Sequence, residues 1–250
     1  MKIFLSGVSG AMGRVIAEMV AEKGQDSIVA GFDKAQPQRD FTVYQSLENV
    51  TEDFDVIIDF SHFSVFDSIL KLALEKKKPL VMATTGLSDQ QNKALAEAAK
   101  QIPVFQSANM SLGINLMANA LKVVAPLLVE NGFDIEIIEK HHRKKVDAPS
   151  GTAFLLRDAL NDVLSSKKDS IFGRHGKEEK RRDEIGIHAV RGGTIPGEHL
   201  VLFAGEDELF EIKHNALSKK VFAQGALSAA AYLTAQQPGL YDMDHLIAGN

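Results

Sequence analysis

The sequence predicts an α/β chain in two parts, a doubly wound parallel sheet followed by an α+β sheet, on three observations. The first is a short apolar run, Lys2-Ile3-Phe4-Leu5-Ser6, that ends at Gly7-Val8-Ser9-Gly10-Ala11-Met12-Gly13-Arg14. The second is the alternation of apolar runs with amphipathic stretches over the first hundred or so residues, the way parallel strands and their crossover helices read in a sequence. The third is a change at Phe133: from there Asp134-Ile135-Glu136-Ile137-Ile138-Glu139 alternates like a strand, and further strand patterns follow.

Taken in order, Lys2 to Ser6 reads as a buried strand meeting a glycine turn. Met12, Val15, Ile16, Met19 and Val20 then form one apolar stripe on a helix that ends near Lys23-Gly24. A second strand, Ile28-Val29-Ala30-Gly31-Phe32, ends at Asp33-Lys34. Strand, glycine turn, helix and an acid closing strand two make a Rossmann-like dinucleotide-binding unit: the glycines admit a pyrophosphate to the helix N-terminus, and the acid meets the ribose. Gly7, Gly10 and Gly13 are spaced Gly-x-x-Gly-x-x-Gly rather than in the commoner Gly-x-Gly-x-x-Gly, so strand, helix and Asp33 carry the reading together. Asp33 favours the free ribose of NADH, and Lys34 could pair with the extra phosphate of NADPH, so either cofactor is expected.

Val56-Ile57-Ile58-Asp59-Phe60-Ser61 and Leu80-Val81-Met82-Ala83 are the next strands, each followed by a helix pattern. Their ends, at Asp59-Phe60-Ser61 and at Ala83-Thr84-Thr85-Gly86, fall on the carboxyl edge of the sheet, where such sheets bind ligands near the nicotinamide half of the cofactor. Val104-Phe105-Gln106 is a last strand, and Ser107-Ala108-Asn109-Met110 leads to an apolar helix over 114–129. A helix over 152–164, strands over 185–191, 199–204 and 208–213, and an alanine-rich helix over 221–235 follow. The polar stretch 165–183 reads as a surface excursion. The closing helix could return to the first sheet, which divides the chain into 1–110 with 217–250 and 111–216.

Composition limits the function classes. The chain has 250 residues, 45% hydrophobic and 24% charged, with a formal charge of -5, which argues against general affinity for nucleic acid or anionic membranes. No cysteine is present, which removes disulfides and thiolate chemistry. No membrane-spanning run and no signal-peptide pattern are read, so a cytoplasmic location is expected.

The densest chemistry lies in His141-His142-Arg143-Lys144-Lys145-Val146-Asp147-Ala148-Pro149-Ser150-Gly151-Thr152. His141 and His142 titrate near neutrality in an ordinary setting, and Lys145 is cationic. Ser150 reads as the N-cap of a helix whose first N–H groups, on Gly151 and Thr152, point at an anion. Together they suit a dianionic ligand and the delivery of a proton.

These residues resemble the bacterial 4-hydroxy-tetrahydrodipicolinate reductase family, long called dihydrodipicolinate reductases. The resemblance lies in the glycine turn, Asp59-Phe60-Ser61, Thr84-Thr85-Gly86, Asn109-Met110-Ser111-Leu112-Gly113-Ile114-Asn115 and above all residues 136–152. It implies a Rossmann-like dinucleotide-binding domain with a second α+β substrate and oligomerisation domain, and NADH- or NADPH-dependent reduction of a cyclic dicarboxylate in lysine and diaminopimelate biosynthesis by a cytoplasmic homotetramer. It further implies His141 as general acid, with Lys145 binding and polarising the substrate, and His142, Gly151 and Thr152 on its carboxylates. Gly7, Ala11, Met12, Asp33, Ala83, Thr85 and Ser107 to Met110 would line the cofactor. Ala83 departs from the family, which commonly has glycine there.

Two other classes compete. A non-catalytic dinucleotide-sensing regulatory protein lacks a helix-turn-helix or zinc-finger pattern to act through. A metal hydrolase lacks the His-Glu-x-x-His spacing, and His175, His188, His199 and His214 are too scattered in sequence to indicate one site, so no metal is expected.

Overall fold

The computed structural model describes residues 1–177 and 183–249. The chain forms two compact units, Met1–Leu112 with Lys219–Asn250, and Gly113–Ser218.

The first unit is built on seven parallel strands: β1 (Lys2–Ser6), β2 (Ser27–Phe32), β3 (Thr42–Tyr44), β4 (Val56–Asp59), β5 (Leu80–Met82), β6 (Pro103–Gln106) and β12 (Gly239–Tyr241). Their order is β12-β6-β5-β4-β1-β2-β3. The strands are nearly continuous apolar runs because both faces are covered. Ile3 and Leu5 pack with α1 (Ala11–Lys23) and α6 (Lys220–Leu233) on one face. Phe4, Ile57 and Leu80 pack with α2 (Phe66–Lys76) and α3 (Asp89–Ala98) on the other. Small residues let α6 lie close: a Cβ on Gly225 would stand 1.6 Å from the Met110 carbonyl oxygen. The chain runs outward from β1 in one direction through β3 and in the other from β4. The strand order therefore reverses between β1 and β4, the position where sheets of this kind open a crevice at their carboxyl ends.

The second unit carries a mixed sheet, ordered β11-β10-β7-β9-β8. Its strands are β7 (Asp134–His141), β8 (Asp169–Phe172), β9 (Glu184–Arg191), β10 (Gly197–Ala204) and β11 (Leu209–Ala216). Ile135, Ile137, Ile187, Val201 and Phe203 form one buried face under α4 (Leu112–Glu130) and α5 (Gly151–Asn161). Ile138, Leu200 and Leu202, on the opposite face, are half-buried.

Three expectations change. The stretch read as a surface excursion contains β8, parallel to β9; four residues, exposed at both ends and half-buried between, give too short an alternation to stand out. Residues 178–182 of that stretch lie outside the described residues. Edge strands β3 and β12 and the helix α7 (Met243–Ala248) were not expected, because three-residue strands carry no measurable period. And α4 is long and apolar enough, by length and composition, to cross a membrane, against the reading of no such run. Asn115, Asn119 and Lys122 interrupt the run without lowering its mean much, and Met117, Ala118, Leu121 and Ala125 are buried in the core of the second unit.

Candidate active site

In the first unit, a cleft of about 690 Å³ opens at the crevice between β1 and β4. Gly7, Ser9, Gly10, Phe32, Asp33, Lys34, Phe60, Ser61, His62, Ser64 and Val65 line it. Gly7 has φ +84° and a Cβ there would stand 2.7 Å from the Phe60 carbonyl oxygen, so a side chain would fill the passage between the two strand ends. A Cβ on Gly13 would meet the Gly7 carbonyl oxygen at 2.2 Å, so only glycine lets α1 approach β1 this closely. Gly10 is the N-cap of α1 and supplies no side-chain acceptor to its first turn. The Asp33 carboxylate accepts from the N–H groups of Ser9 at 2.7 Å and Ala35 at 3.0 Å, which anchors the glycine loop to the end of β2. A cradle that any Cβ would obstruct, a helix start without a side-chain cap and an acid at the end of strand two fit a dinucleotide.

The remaining first-unit residues named from sequence stand along the same carboxyl ends but outside this cleft's lining. Ala11, Met12 and Gly13 form the first turn of α1. Ala83 and Thr84, directly after β5, are buried, and the Thr84 hydroxyl donates to Asp59 Oδ2 at 2.7 Å. Ser61 donates to Asp59 Oδ1 through its hydroxyl at 2.6 Å, so this fully buried carboxylate ties the ends of β4 and β5 together. Thr85 and Ala108 are exposed and Ser107 and Asn109 half-buried, while the Met110 side chain is in the core beneath α6. Ser61 belongs to the strand end expected on this edge; Ser9, His62 and Ser64 were not singled out, since polar residues beside a strand end have no distinguishing spacing.

In the second unit, the alternation of β7 puts Glu139 and His141 on the buried face, followed by a loop that returns to the N-terminus of α5. The Ser150 hydroxyl accepts from the Ala153 N–H at 3.2 Å, which is the expected cap, and contacts His199 Nε2 at 3.1 Å. Lys145 pairs with Asp147 at 2.8 Å, and the Asp147 carboxylate also accepts from the Gly151 N–H. Burial alone would raise the Asp147 pKa; the Lys145 ammonium and the backbone donors hold it lower. Asp147 thus takes the contacts that the sequence assigned to a ligand carboxylate. Gly151 is exposed, and His142 and Thr152 half-buried, around the same helix start.

His141 differs from the sequence expectation of an imidazole titrating near neutrality. Burial lowers its pKa more than hydrogen bonding to Glu139 raises it, and the charges of Lys145 and Arg191 lower it further. His199, expected to be a separate structural or surface residue, lies edge-on to His141 at 5.1 Å. Burial first, then the neighbouring His141, pushes its pKa down to about 4. The sheet joins these residues because β10 pairs with β7 and places His199 opposite Glu139, a register no local spacing displays. His188 instead pairs with Glu136 at 2.7 Å on the other face. Among the described residues, no three or more His, Asp or Glu side chains are grouped to hold a metal ion.

Comparison with known proteins matches both units. Residues 1–110 match the family model described as dihydrodipicolinate reductase, N-terminus, and residues 113–247 that described as dihydrodipicolinate reductase, C-terminus. The 4-hydroxy-tetrahydrodipicolinate reductase of Caldanaerobacter subterraneus subsp. tengcongensis is 50% identical, with 98% of each chain covered. That of Clostridium novyi is 49% identical, again with 98% of each covered. Among solved structures, the dipicolinate-bound dihydrodipicolinate reductase from Paenisporosarcina sp. TG-14 superposes with a TM-score of 0.80 at 26% identity, over 97% of each chain.

Proposed function

The chain belongs to the dihydrodipicolinate reductase family, and from that premise we propose that it reduces 4-hydroxy-tetrahydrodipicolinate to tetrahydrodipicolinate with NADH or NADPH, in lysine and diaminopimelate biosynthesis. The observation that carries the residue assignment is that the buried Glu139 carboxylate holds His141 and the Ser150 N–H at the start of α5, while Lys145 pairs with Asp147 in the loop between them, all in the second unit.

The nicotinamide, when bound, supplies the hydride; the protein supplies position, charge and a proton. Gly7, Gly10, Ala11, Met12 and Gly13 receive the pyrophosphate and Asp33 the adenosine ribose, with Lys34 able to meet a ribose phosphate. Phe60, Ala83, Thr84, Thr85 and the loop from Ser107 to Met110 bound the nicotinamide end. Lys145, His142 and the N–H groups of Gly151 and Thr152 bind the two substrate carboxylates, the first displacing Asp147 from Lys145. The 4-hydroxyl must leave as water to make the ring conjugated; hydride accepted by that ring would then leave negative charge, which a proton from His141 would quench. Because burial keeps His141 neutral more readily than a free imidazole, the dianion itself must favour its protonation, so proton uptake accompanies substrate binding.

The unit of residues 113–218 is read as the substrate-binding and oligomerisation domain, and residues 1–112 with 219–250 as the dinucleotide-binding domain. A homotetramer is supported by the half-buried apolar side chains of Ile138, Leu200 and Leu202 on the sheet face opposite α4 and α5, beside exposed Val190. A cytoplasmic location accords with the use of a soluble nicotinamide cofactor. The test is direct: NADH absorbance falls when freshly generated 4-hydroxy-tetrahydrodipicolinate is added to the enzyme, and does so equally after chelation of metals. Unchanged absorbance at saturating concentrations of both would overturn the reading.

A further inference from the structure

Glu139 and Arg191 have no part in the reaction described above, yet Glu139 is fully buried. A carboxylate removed from water is costly unless its lone pairs are met. Here they are: Oε1 accepts from Arg191 Nη2 at 2.6 Å and the Ser150 N–H at 2.9 Å, and Oε2 from Arg191 Nη1 at 2.7 Å and His141 Nδ1 at 2.6 Å. Burial would raise the Glu139 pKa, and these donors outweigh it and hold the group ionised. An ionised carboxylate only accepts, so Nδ1 of His141 carries the hydrogen and Nε2 is the nitrogen left to exchange a proton with a ligand. Nε2 faces Gly197 of β10, where a Cβ would stand 3.2 Å away, so the absence of a side chain at 197 keeps that edge of the ring from being crowded.

We propose that Glu139 is a positioning residue for the reaction: it fixes the tautomer and orientation of His141 through Nδ1 and ties the imidazole to the start of α5 through Ser150. The proposal rests on His141 as the proton donor. Arg191 extends the tie, because its Nη2 also donates to the Asp147 carbonyl at 2.7 Å, at the end of the loop that carries Lys145. One carboxylate therefore joins the imidazole, the helix start and the lysine loop. The charged and titratable groups around the ring are Glu139 on its own strand, Arg191 on β9, Lys145 on the loop and His199 on β10. Of these, Glu139 alone favours the imidazolium, whereas Lys145 and Arg191 oppose it.

Glu139→Gln keeps the size and removes that support. The imidazolium then loses its proton at lower pH, so the alkaline limb of the kcat profile moves to lower pH. At neutral pH kcat falls by about 10²-fold, the scale of a lost general acid, with the Michaelis constant for NADH unchanged. A carboxylate that served only the fold would lower stability and leave the profile in place. The second measurement uses the unmodified chain with isotope-labelled histidine, its His141 signals assigned by comparison with His141→Gln: the neutral ring is expected to carry hydrogen on Nδ1. A neutral ring with hydrogen on Nε2, or a folded Glu139→Gln with the unaltered kcat and pH profile, would overturn the proposal. Because the tautomer is read on the unmodified chain, the test holds even where Glu139→Gln does not fold. Full turnover by His141→Gln would remove the proton donor itself, and the proposal with it; being read on a different variant, that failure is distinguishable from failure of the tie.

Discussion

The cofactor cleft and the His141 cluster solve opposite problems. The cleft is made by backbone: Gly7, Gly10 and Gly13 leave out side chains so that carbonyls and a helix start can come close, and Asp33 anchors the loop. The cluster is made by side chains: a buried carboxylate is met by a half-buried guanidinium, an imidazole and a backbone N–H, with a second imidazole and a serine in contact beside it. A backbone site is sensitive to added atoms. A buried charge network is sensitive to removed charges and to pH.

The largest expected effect breaks the cleft. Gly13→Val puts its Cβ where the Gly7 carbonyl oxygen stands 2.2 Å away, so α1 must move off β1. Loss of measurable NADH binding in titration calorimetry is expected, with destabilisation of about 3 kcal/mol in urea unfolding, the upper range for an overpacked site. Tight NADH binding by this variant would show that helix–strand approach does not set the cleft.

The next effect belongs to the cluster alone. With a folded pKa of about 4 against an ordinary 6.5, His199 refuses a proton that the unfolded chain accepts. Its contribution is complete above the ordinary pKa and is lost as pH falls from 6.5 toward 4, roughly 3 kcal/mol in all. Urea midpoints across that window are expected to fall more steeply in the unmodified protein than in His199→Asn. Parallel curves would mean that His199 is protonated in the fold. The smallest effect returns to the cleft: Asp33→Ala is expected to weaken NADH by about tenfold, near one charge-assisted hydrogen bond, and NADPH by less. Equal losses would limit Asp33 to its bonds with Ser9 and Ala35.

The same contrast explains what could be read from the sequence. Backbone demands are local, so a strand, three spaced glycines, a helix stripe and Asp33 stood within 33 residues and announced the first unit. The histidine segment was legible for the same reason, as was the Ser150 cap. The support of His141 was not, apart from Glu139 two residues earlier on an alternating strand, because Arg191 and His199 arrive from β9 and β10 through sheet register. The depressed pKa of His141 was hidden for a further reason: burial is a property of the packed sheet, whereas composition displays only the residue's ordinary value.

The proposed reaction turns on proton delivery by His141 of the second unit. The measurement that tests it most directly is kcat of His141→Gln against the unmodified enzyme at neutral pH, with NADH and freshly generated substrate both saturating. A fall of roughly 10²-fold or more is expected, with little change in the Michaelis constants. Turnover within a few-fold of the unmodified enzyme would contradict it and move the proton to Lys145, His142 or solvent.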